Sequence, residues 1–260
     1  MLRGLLQNLG AYKLYEKWLI YQIKDKEMPE HMAIILDGNR RWARKEGVSL
    51  DLGYSIGAEN VEKVLEWCLE LKIPSLTIFG LSTENLRRKP EELQPVLENI
   101  RRELEKALED ERIHKNEVRV SILGDKNLLP KEIKEISEKV EERTKNYNKF
   151  HLNLAIGYGG RNEIINAVKR IGEEIKKGNL RPEDLNEETF GKYLYTAHLP
   201  KPEPDIIIRT SGEERISNFL LWQSAYSELV FLDIYWPEFR KIDLLRAIRV
   251  YQKRKRKFGI

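Results

Sequence analysis

Polar residues that could bind diphosphate groups and a metal ion follow an apolar segment near the start of the chain. Asp37 and Gly38 come directly after the apolar residues 33–36, and Arg40 and Arg41 lie just beyond them. A carboxylate at the end of a strand can bind a hard cation, while backbone N–H groups after a glycine, and arginines, can bind phosphate oxygens. The same residues could instead form an Asx-type turn that caps the next helix.

Two later segments have a similar composition. Residues 82–90 contain three consecutive cations, although the serine and threonine that open this segment could simply cap a helix. Residues 209–218 place two arginines and two serines around Gly212, which suits an anion-binding loop. Glu228 precedes the apolar residues 229–232, and its position at a strand entrance favours a structural role. Together the segments indicate a site for two phosphorylated ligands and a divalent cation, whose identities the spacing does not specify.

Short apolar runs rich in Ile, Val and Leu alternate along the chain with longer segments of helical periodicity. The predicted strands are residues 32–36, 76–80, 118–123, 152–156, 206–209 and 229–234. The predicted helices are residues 56–71, 91–114, 131–147, 163–177, 186–197 and 241–254. This alternation predicts a single α/β domain of about six mainly parallel strands flanked by helices on both faces. In such sheets ligands bind beyond the carboxyl ends of the strands, where nearly all the polar segments lie.

The composition restricts the class of protein. The 260 residues carry a net charge of +4 and one cysteine, Cys68, which excludes an internal disulfide framework and cysteine-rich zinc sites. No apolar run approaches the roughly 20 residues needed to cross a bilayer, and the first residues lack the pattern of a signal peptide. We therefore expect a cytoplasmic protein, with peripheral contact to a membrane surface as an option. The basic residues 253–257 lack interleaved aromatic residues, so no nucleic-acid partner is expected.

Several long motifs resemble one known family. Residues 31–43 closely resemble the opening signature of cis-prenyltransferases, the undecaprenyl and dehydrodolichyl diphosphate synthases. Residues 82–85, 158–161, 209–223 and 225–229 resemble further motifs of that family, in the same order. The resemblance implies a Mg²⁺-dependent homodimeric enzyme that condenses isopentenyl diphosphate with an allylic diphosphate, farnesyl or geranylgeranyl. It also implies a hydrophobic tunnel and a long, undecaprenyl-like product for a glycosyl carrier lipid.

The resemblance assigns roles to individual residues. Asp37 would bind Mg²⁺ and assist departure of the allylic diphosphate, and Glu228 would complete the metal site, contrary to the interpretation from its position. Asn85 would act at the reacting centre. Because an amide is a very weak base, we expect it to orient groups while a diphosphate oxygen takes the proton. The implied substrate-binding residues are Gly38, Asn39, Arg40, Arg41, Trp42, Tyr54, Ser82, Thr83, Glu84, Leu86, Arg88, Arg209, Arg215, Ile216 and Ser217.

The chain departs from the family pattern at several positions. Tyr54 stands where the family usually has histidine, and Leu50 and Leu86 replace the usual arginine and tryptophan. Tyr54 could still donate one hydrogen bond to a phosphate. Lys257 replaces the arginine of a C-terminal element, which keeps the charge but loses the bidentate geometry. The N-terminal extension, Tyr54 and the charge-rich composition favour an archaeal-type member.

Two regions outside the motifs also carry predictions. Residues 1–28 are predicted to form an amphipathic helical extension to a catalytic domain of residues 29–260. Its apolar stripe could dock on a membrane surface or pack on the protein, and consists of Leu5, Leu9, Tyr12, Leu19 and Ile23. Tunnel depth is expected to depend on Phe150 and on the apolar side of predicted helix 91–114, which consists of Leu93, Leu97, Ile100, Leu104 and Leu108.

Other classes of protein fit the motifs less well. A non-catalytic partner subunit of a heteromeric cis-prenyltransferase would be expected to lack the aspartate of the first loop, whereas Asp37 is present. A trans-prenyltransferase would need Asp-Asp-x-x-Asp motifs, which do not occur. A nucleotide-binding α/β protein would need G-x-x-x-x-G-K-[ST] or G-x-G-x-x-G, which are also missing. We therefore predict an active cis-prenyltransferase.

Overall fold

The computed structural model describes residues 10–254, which form one α/β domain around an entirely parallel six-stranded sheet of order β3-β4-β2-β1-β5-β6. The strands are β1 (His31–Ile35), β2 (Ser75–Ser82), β3 (Val118–Leu123), β4 (Phe150–Tyr158), β5 (Ile206–Arg209) and β6 (Glu228–Phe231). The α-helices of the described part are α1 (Ala11–Ile23), α2 (Asn39–Glu46), α3 (Leu50–Glu70), α4 (Pro90–Ala107), α5 (Glu111–Lys115), α6 (Lys131–Thr144), α7 (Gly160–Lys176), α8 (Glu187–Gly191) and α9 (Lys241–Lys253). The predicted fold class is confirmed.

The first strand illustrates why the strands are nearly continuous apolar runs. All five residues of β1 are buried, because protein covers both faces of the sheet. Met32 and Ile34 belong to the larger core, which also contains residues of α1, α3, α4, α6 and α9. Ala33 and Ile35 belong to the smaller core on the other face. Successive side chains of a strand point to opposite faces, so both sets must be apolar.

Most predicted elements are confirmed to within a few residues, and the exceptions have local causes. Predicted helix 91–114 is two helices, because Asp110 interrupts it and caps α5 by accepting a hydrogen bond from Arg112 N at 2.8 Å. Predicted helix 186–197 ends at Gly191 and continues as turns. The eight residues of α2 were not predicted as a helix, because they are mostly polar and lack apolar periodicity.

The N-terminal helix α1 packs along the last helix, α9. Leu19 and Ile23 are buried in the larger core, and Arg240 Nη1 donates a hydrogen bond to Tyr12 Oη at 2.8 Å. The described part of the predicted stripe therefore packs on the protein, while Leu5 and Leu9 lie outside the described residues. The domain boundary after residue 28 stays a prediction. None of the helices within residues 10–254 has the length and apolar character needed to span a membrane.

The order of the strands creates a natural ligand site. From β1 the chain builds β2, β3 and β4 on one side, and β5 and β6 then extend the sheet on the other side of β1. Ligands of open α/β sheets bind at such a switch point, beyond the carboxyl ends of the strands. Asp37 follows β1 and Thr210 follows β5, so the structure brings the first and third polar segments together here.

Candidate active site

An aspartate held by two arginines lies at the switch point. Arg209 Nη2 lies 2.7 Å from Asp37 Oδ2, and Arg41 Nη2 lies 3.1 Å from Asp37 Oδ1. Burial by itself would raise the pKa of the Asp37 carboxyl. The hydrogen bonds and charges of Arg209 and Arg41 outweigh burial and lower that pKa below its ordinary value. The carboxyl group is therefore ionised at neutral pH and able to bind a cation.

The backbone around Asp37 is fixed from two sides. Thr210 Oγ1 accepts a hydrogen bond from Asp37 N at 3.1 Å and donates one to Asp37 O at 2.7 Å. Trp236 N donates to the same carbonyl oxygen at 3.1 Å. Gly38 has a φ of +105°, and a Cβ at this position would lie 2.7 Å from Tyr235 Cδ1. Only glycine therefore fits between β1 and the start of α2.

The loop after β5 holds the buried arginine and is itself strained. Arg209 Nη1 donates hydrogen bonds to Ser217 Oγ at 2.7 Å and to the carbonyl oxygen of Arg215. Ser211, Ser217 and Asn218 have φ values of +77°, +49° and +65°, which residues with a Cβ rarely adopt. Such strain is concentrated at functional sites, where the surrounding contacts over-determine the backbone.

The other arginines of the site share a carboxylate from the same loop. Arg41 donates hydrogen bonds to Ser211 Oγ at 2.5 Å and to Glu213 Oε1 at 3.1 Å. The second oxygen of Glu213 lies 2.6 Å from Arg215 Nη1, and the Arg215 side chain is 63% exposed. An incoming diphosphate could take over these arginine contacts, because both ion pairs are open to solvent.

The loop after β2 forms the opposite wall of the site. Ser82 Oγ accepts a hydrogen bond from Asn85 N at 3.1 Å, and Arg88 Nη2 donates to Asn85 Oδ1 at 2.6 Å. Asn218 Nδ2 donates to Glu84 Oε1 at 2.8 Å and so connects the β2 loop with the β5 loop. The structure therefore brings the second polar segment to the same edge as the other two.

Tyr54 lies between the cations of the site and the apolar interior. Burial raises the pKa of its hydroxyl, and the charges of Arg88 and Arg40 offset part of that effect. Arg40 is paired with Glu92. Tyr54 Oη and Asn39 Oδ1 are both buried, and neither has a hydrogen-bond partner within the described part of the chain. Both residues line one cavity, so their unpartnered atoms indicate a place where a ligand or water binds.

This apolar cavity has a volume of about 180 Å³ and extends into the larger core. Leu36, Asn39 and Tyr54 lie at its mouth, beside Asp37, and α3, α4 and the sheet form its walls. The walls include Val61, Leu65, Ile78, Val96, Ile100, Leu104, Leu152, Leu154 and Ile156. Ile100 and Leu104 thus line the cavity as predicted. The other predicted tunnel residues pack against the larger core but do not line the cavity; they are Leu93, Leu97, Leu108 and Phe150.

Charged residues of α3 and of the start of α5 also line the cavity. Arg112 Nη2 lies 2.7 Å from Glu62 Oε2 and 2.6 Å from Asp110 Oδ2, and Arg112 Nη1 lies 2.7 Å from Glu66 Oε1. Glu62, Asp110 and Arg112 line the cavity. We refer to Glu62, Glu66, Asp110 and Arg112 as the Arg112 cluster. The cluster connects α5 to α3 and places ion pairs in the lining of the apolar cavity.

The second residue predicted to bind metal, Glu228, is not brought to Asp37 within this chain. Glu228 is the first residue of β6 and lies at the level of Ile206 and Met32. Asp37 lies beyond the opposite end of the sheet, roughly 16 Å further along the strand direction at about 3.3 Å per residue. Glu228 Oε2 instead accepts a hydrogen bond from Arg254 Nη1 at 2.8 Å. Glu228 lies far from Asp37 because it begins a strand, as its position before the apolar residues 229–232 had indicated.

The remaining predicted residues lie around the site. Thr83 N donates a hydrogen bond to the carbonyl oxygen of Tyr158 at 2.9 Å. Trp42, Leu86 and Ile216 are half-buried apolar residues of the same three segments. Lys257 lies outside the described residues. The sequence-based reasoning missed four residues of segment 209–218. Thr210 holds the backbone of Asp37, Ser211 and Glu213 contact Arg41, and Asn218 contacts Glu84.

The donor groups fit a magnesium ion that is bound together with a substrate. Mg²⁺ in such sites keeps several waters and is held by one or two carboxylates and the phosphates of the substrate. Asp37 supplies an ionised carboxylate whose side chain is 25% exposed. Within residues 10–254, no group of three or more His, Cys, Asp or Glu residues could hold a metal by itself. A metal at Asp37 would therefore depend on diphosphate oxygens for further ligands.

Comparisons with known proteins agree with this geometry. A family model described as "Putative undecaprenyl diphosphate synthase" matches residues 35–259. This chain belongs to the cis-prenyltransferase family. It is 53% identical over 254 residues to the tritrans,polycis-undecaprenyl-diphosphate synthase (geranylgeranyl-diphosphate specific) of Methanocaldococcus jannaschii, covering 98% of this chain and 91% of that relative. The Pyrococcus abyssi protein of the same name is 49% identical, with both chains covered completely.

Solved structures of cis-prenyltransferases have the same fold. The crystal structure of lavandulyl diphosphate synthase from Lavandula x intermedia, in complex with dimethylallyl diphosphate, matches with a TM-score of 0.84 and 33% identity. A probable undecaprenyl diphosphate synthase from Campylobacter jejuni matches with a TM-score of 0.73 and 36% identity. Each match covers 90% of this chain and 99% of the other. The cis-prenyltransferase is therefore an enzyme of cis-prenyl chain elongation, which joins isopentenyl diphosphate to an allylic diphosphate.

Proposed function

We propose that this cis-prenyltransferase extends geranylgeranyl diphosphate in a Mg²⁺-dependent reaction, and that its undecaprenyl-like product serves as a glycosyl carrier lipid. The observation that carries the proposal is the Asp37 carboxylate, held by Arg41 and Arg209 beside the mouth of an apolar cavity. Such a site suits a substrate with a diphosphate head and a hydrocarbon tail. The choice of primer follows the names of the archaeal relatives, which specify geranylgeranyl diphosphate.

The allylic diphosphate is assigned to the start of α2. The first N–H groups of a helix have no partner within the helix, and together with the helix dipole they favour an anion there. Gly38 allows the close approach, and Arg40 and Arg41 can each contact two phosphate oxygens. The hydrocarbon then enters the cavity past Asn39 Oδ1 and Tyr54 Oη, which have no hydrogen-bond partner among residues 10–254.

Isopentenyl diphosphate is assigned to the loop after β5. Arg209 is 5% exposed and fixed between Asp37 and Ser217, so it presents its charge in a constant position. Arg215 is largely exposed and can turn from Glu213 to a phosphate. The two diphosphates would then lie on either side of Asp37, which places the allylic carbon near the isopentenyl double bond.

The chemistry requires the allylic C–O bond to ionise, the double bond to attack the allylic carbon, and a proton to leave. Arg40 and Arg41 would stabilise the charge that develops on the departing diphosphate. Mg²⁺ held by Asp37 supplies further positive charge to that diphosphate when it is bound. Asn85 Oδ1 already accepts a hydrogen bond from Arg88, so we assign Asn85 an orienting role and the proton to a diphosphate oxygen. Unchanged turnover in Asn85→Asp would argue against a specific role of the amide.

The limit on product length is assigned to the Arg112 cluster. A cavity of about 150 Å³ holds one benzene molecule, so a cavity of about 180 Å³ is far smaller than a long polyprenyl chain and must widen as the chain grows. The side chains of Arg112 and Glu62 are 34% and 33% exposed, so water can solvate them when the pairs separate. An apolar chain end that displaces them meets unpaired charges, which disfavours further elongation.

A homodimer is the assembly that the family resemblance implies. The exposed side of α7 offers a surface for a second copy, because Ile165 and Val168 are 53% and 52% exposed on the same side of the helix. We therefore expect a dimer in sedimentation experiments and a monomer for the variant Ile165→Lys. A monomeric wild-type protein would contradict this assignment.

The test of the proposed function is product analysis with the purified full-length protein. Labelled isopentenyl diphosphate and Mg²⁺ are combined with geranyl, farnesyl or geranylgeranyl diphosphate, and chain length is measured by chromatography. We expect long products, formed best from geranylgeranyl diphosphate and lost in Asp37→Ala and after metal chelation. Asp51→Ala is a matched control, since Asp51 is exposed at the start of α3. Equal use of all primers, or activity without metal, would contradict the proposal.

A further inference from the structure

The helix α1 has a second apolar side that is exposed. Leu19 and Ile23 of the predicted stripe are buried beside α9, as described above. On the exposed side, Leu14 is 70% exposed, Trp18 is 42% exposed and Tyr21 is 65% exposed. These positions are separated by four and three residues, so their side chains lie next to one another along the helix.

The charged residues beside this exposed stripe on α1 are lysines, whereas the exposed residues just after the helix, Asp25, Lys26 and Glu27, carry both signs. Lys13 and Lys17 are exposed on α1, and Lys24 follows directly after its last residue. Glu16 is the single acidic residue of α1, and it pairs with the first lysine of α9 at 3.4 Å. Asp25 is exposed beyond the helix, 3.9 Å from Lys24. The exposed side of α1 itself therefore combines large apolar side chains with lysines and carries no carboxylate.

Arginines of α9 hold the aromatic rings of α1 in place. The Arg249 guanidinium lies 4.8 Å from the centre of the Trp18 ring, and the Arg246 guanidinium lies 5.0 Å from that of Tyr15. The rings of Tyr15 and Trp18 stack at 5.6 Å. We call the exposed surface the α1 outer face; it consists of Lys13, Leu14, Lys17, Trp18, Tyr21 and Lys24.

We propose that the α1 outer face docks on the surface of an anionic lipid bilayer. Trp and Tyr favour the headgroup level of a bilayer, and lysines can keep their stems on apolar surface while their charges reach anionic headgroups. A second copy of the chain is the less favourable occupant, because pairing two such faces would oppose lysines of like charge. The α1 outer face therefore fits a lipid surface by both its apolar and its charged groups.

The location of α1 suits the chain-elongating activity. α1 packs into the larger core, on the same face of the sheet as α3 and α4, which enclose the apolar cavity. A long polyprenyl product is insoluble in water and must pass from this cavity into a bilayer. Docking through α1 would hold that side of the enzyme at the membrane surface.

The experiment is co-sedimentation of the full-length protein with vesicles of phosphatidylcholine alone or with one-third phosphatidylglycerol. We expect binding to the anionic vesicles that weakens as salt is raised, because exposed charges are screened. Each basic residue near an anionic surface strengthens binding about fivefold, so the triple variant K13Q/K17Q/K24Q should bind about a hundredfold more weakly. The double variant L14S/W18S should also lose binding, since it removes the apolar anchors.

The matched control is K131Q/K145Q/K176Q, which removes three exposed lysines of α6, its C-terminal end and α7, and should bind as the wild type does. Elongation in detergent should be unchanged in all these variants, which separates lost docking from misfolding. Equal vesicle binding by wild type and K13Q/K17Q/K24Q overturns the proposal, as does equally tight binding to both vesicle types. If L14S/W18S changes the sedimenting mass of the protein in the absence of vesicles, the α1 outer face contacts a second copy of the chain. That outcome also overturns the proposal.

Discussion

The variant Asp37→Asn removes the negative charge from between Arg41 and Arg209 while keeping the shape of the side chain. In the wild type, Asp37 Oδ2 accepts hydrogen bonds from Arg209 at 2.7 and 3.3 Å, and Oδ1 accepts one from Arg41 at 3.1 Å. Asparagine offers one acceptor oxygen, and its amide NH₂ group must face the other guanidinium. One arginine therefore loses its partner, and the site keeps two positive charges without the carboxylate.

The cost to folding can be worked out from these contacts. A hydrogen bond to a charged group contributes about 1.5–3 kcal/mol, so losing the partner of one arginine should lower the free energy of unfolding by about 2 kcal/mol. For a protein of this size the expected fall in Tm is about 4–8 °C. The pKa of Asp37 is lowered in the folded protein, so this contribution is complete above the ordinary carboxyl pKa. This contribution is lost as the pH falls through the lowered pKa, where the Tm values of the wild type and Asp37→Asn should converge.

Thermal unfolding by circular dichroism and the elongation assay together test this reasoning. Turnover by Asp37→Asn should fall by at least about 100-fold, the effect of removing one electrostatic group from a reacting centre. Glu213→Gln serves as the comparison, because it removes a solvent-open partner of Arg41 and leaves the contact between Arg209 and Asp37 intact. Its fall in Tm should be smaller. An unchanged Tm and preserved turnover in Asp37→Asn would refute the reasoning.

Three other perturbations test separate parts of the structure. Burial lowers the pKa of His31 from 6.5 to about 4, so the free energy of unfolding should fall by about 3 kcal/mol as the pH decreases from 6.5 to 4. Urea unfolding at several pH values measures this, and a flat profile would contradict it. Arg112→Met should shorten the products measured by chromatography, because it leaves Glu66 and Asp110 without their cation, whereas Arg101→Met, in an exposed pair on α4, should not; identical products from both would exclude a role in chain length. Gly38→Ala should lower the free energy of unfolding by at least about 1–2 kcal/mol, because left-handed geometry costs that much and the new Cβ meets Tyr235; a wild-type urea unfolding curve would show that the backbone adapts.

The strands and the location of the site could be predicted because both follow from local patterns. Short apolar runs such as residues 206–209 are typical of parallel strands buried on both faces, and parallel strands end at a common edge. That rule brought Asp37 and Arg209, which are 172 positions apart, to one predicted site. The family resemblance added the identity of the ligands, which spacing alone could not supply.

The contacts within the site could not be predicted, because they depend on loop conformations set by distant residues. Nothing near Arg41 in the sequence indicates Ser211 and Glu213 as its partners. The left-handed backbone of Ser217 likewise depends on the closure of the whole β5 loop. For Glu228 the local sequence was the better guide. Its position before an apolar run predicted the start of a strand, which is where it lies within this chain.

The paired arrangement of two diphosphates around Asp37 is the central claim, and a crystal structure of the ternary complex tests it most directly. The complex would contain Mg²⁺, isopentenyl diphosphate and a non-ionising thio-analogue of geranylgeranyl diphosphate. We predict the allylic diphosphate at Arg40 and Arg41, the cation on Asp37, and the hydrocarbon in the cavity beyond Tyr54. Isopentenyl diphosphate should contact Arg209. A hydrocarbon chain outside the cavity, or diphosphates bound away from Asp37, would contradict the account.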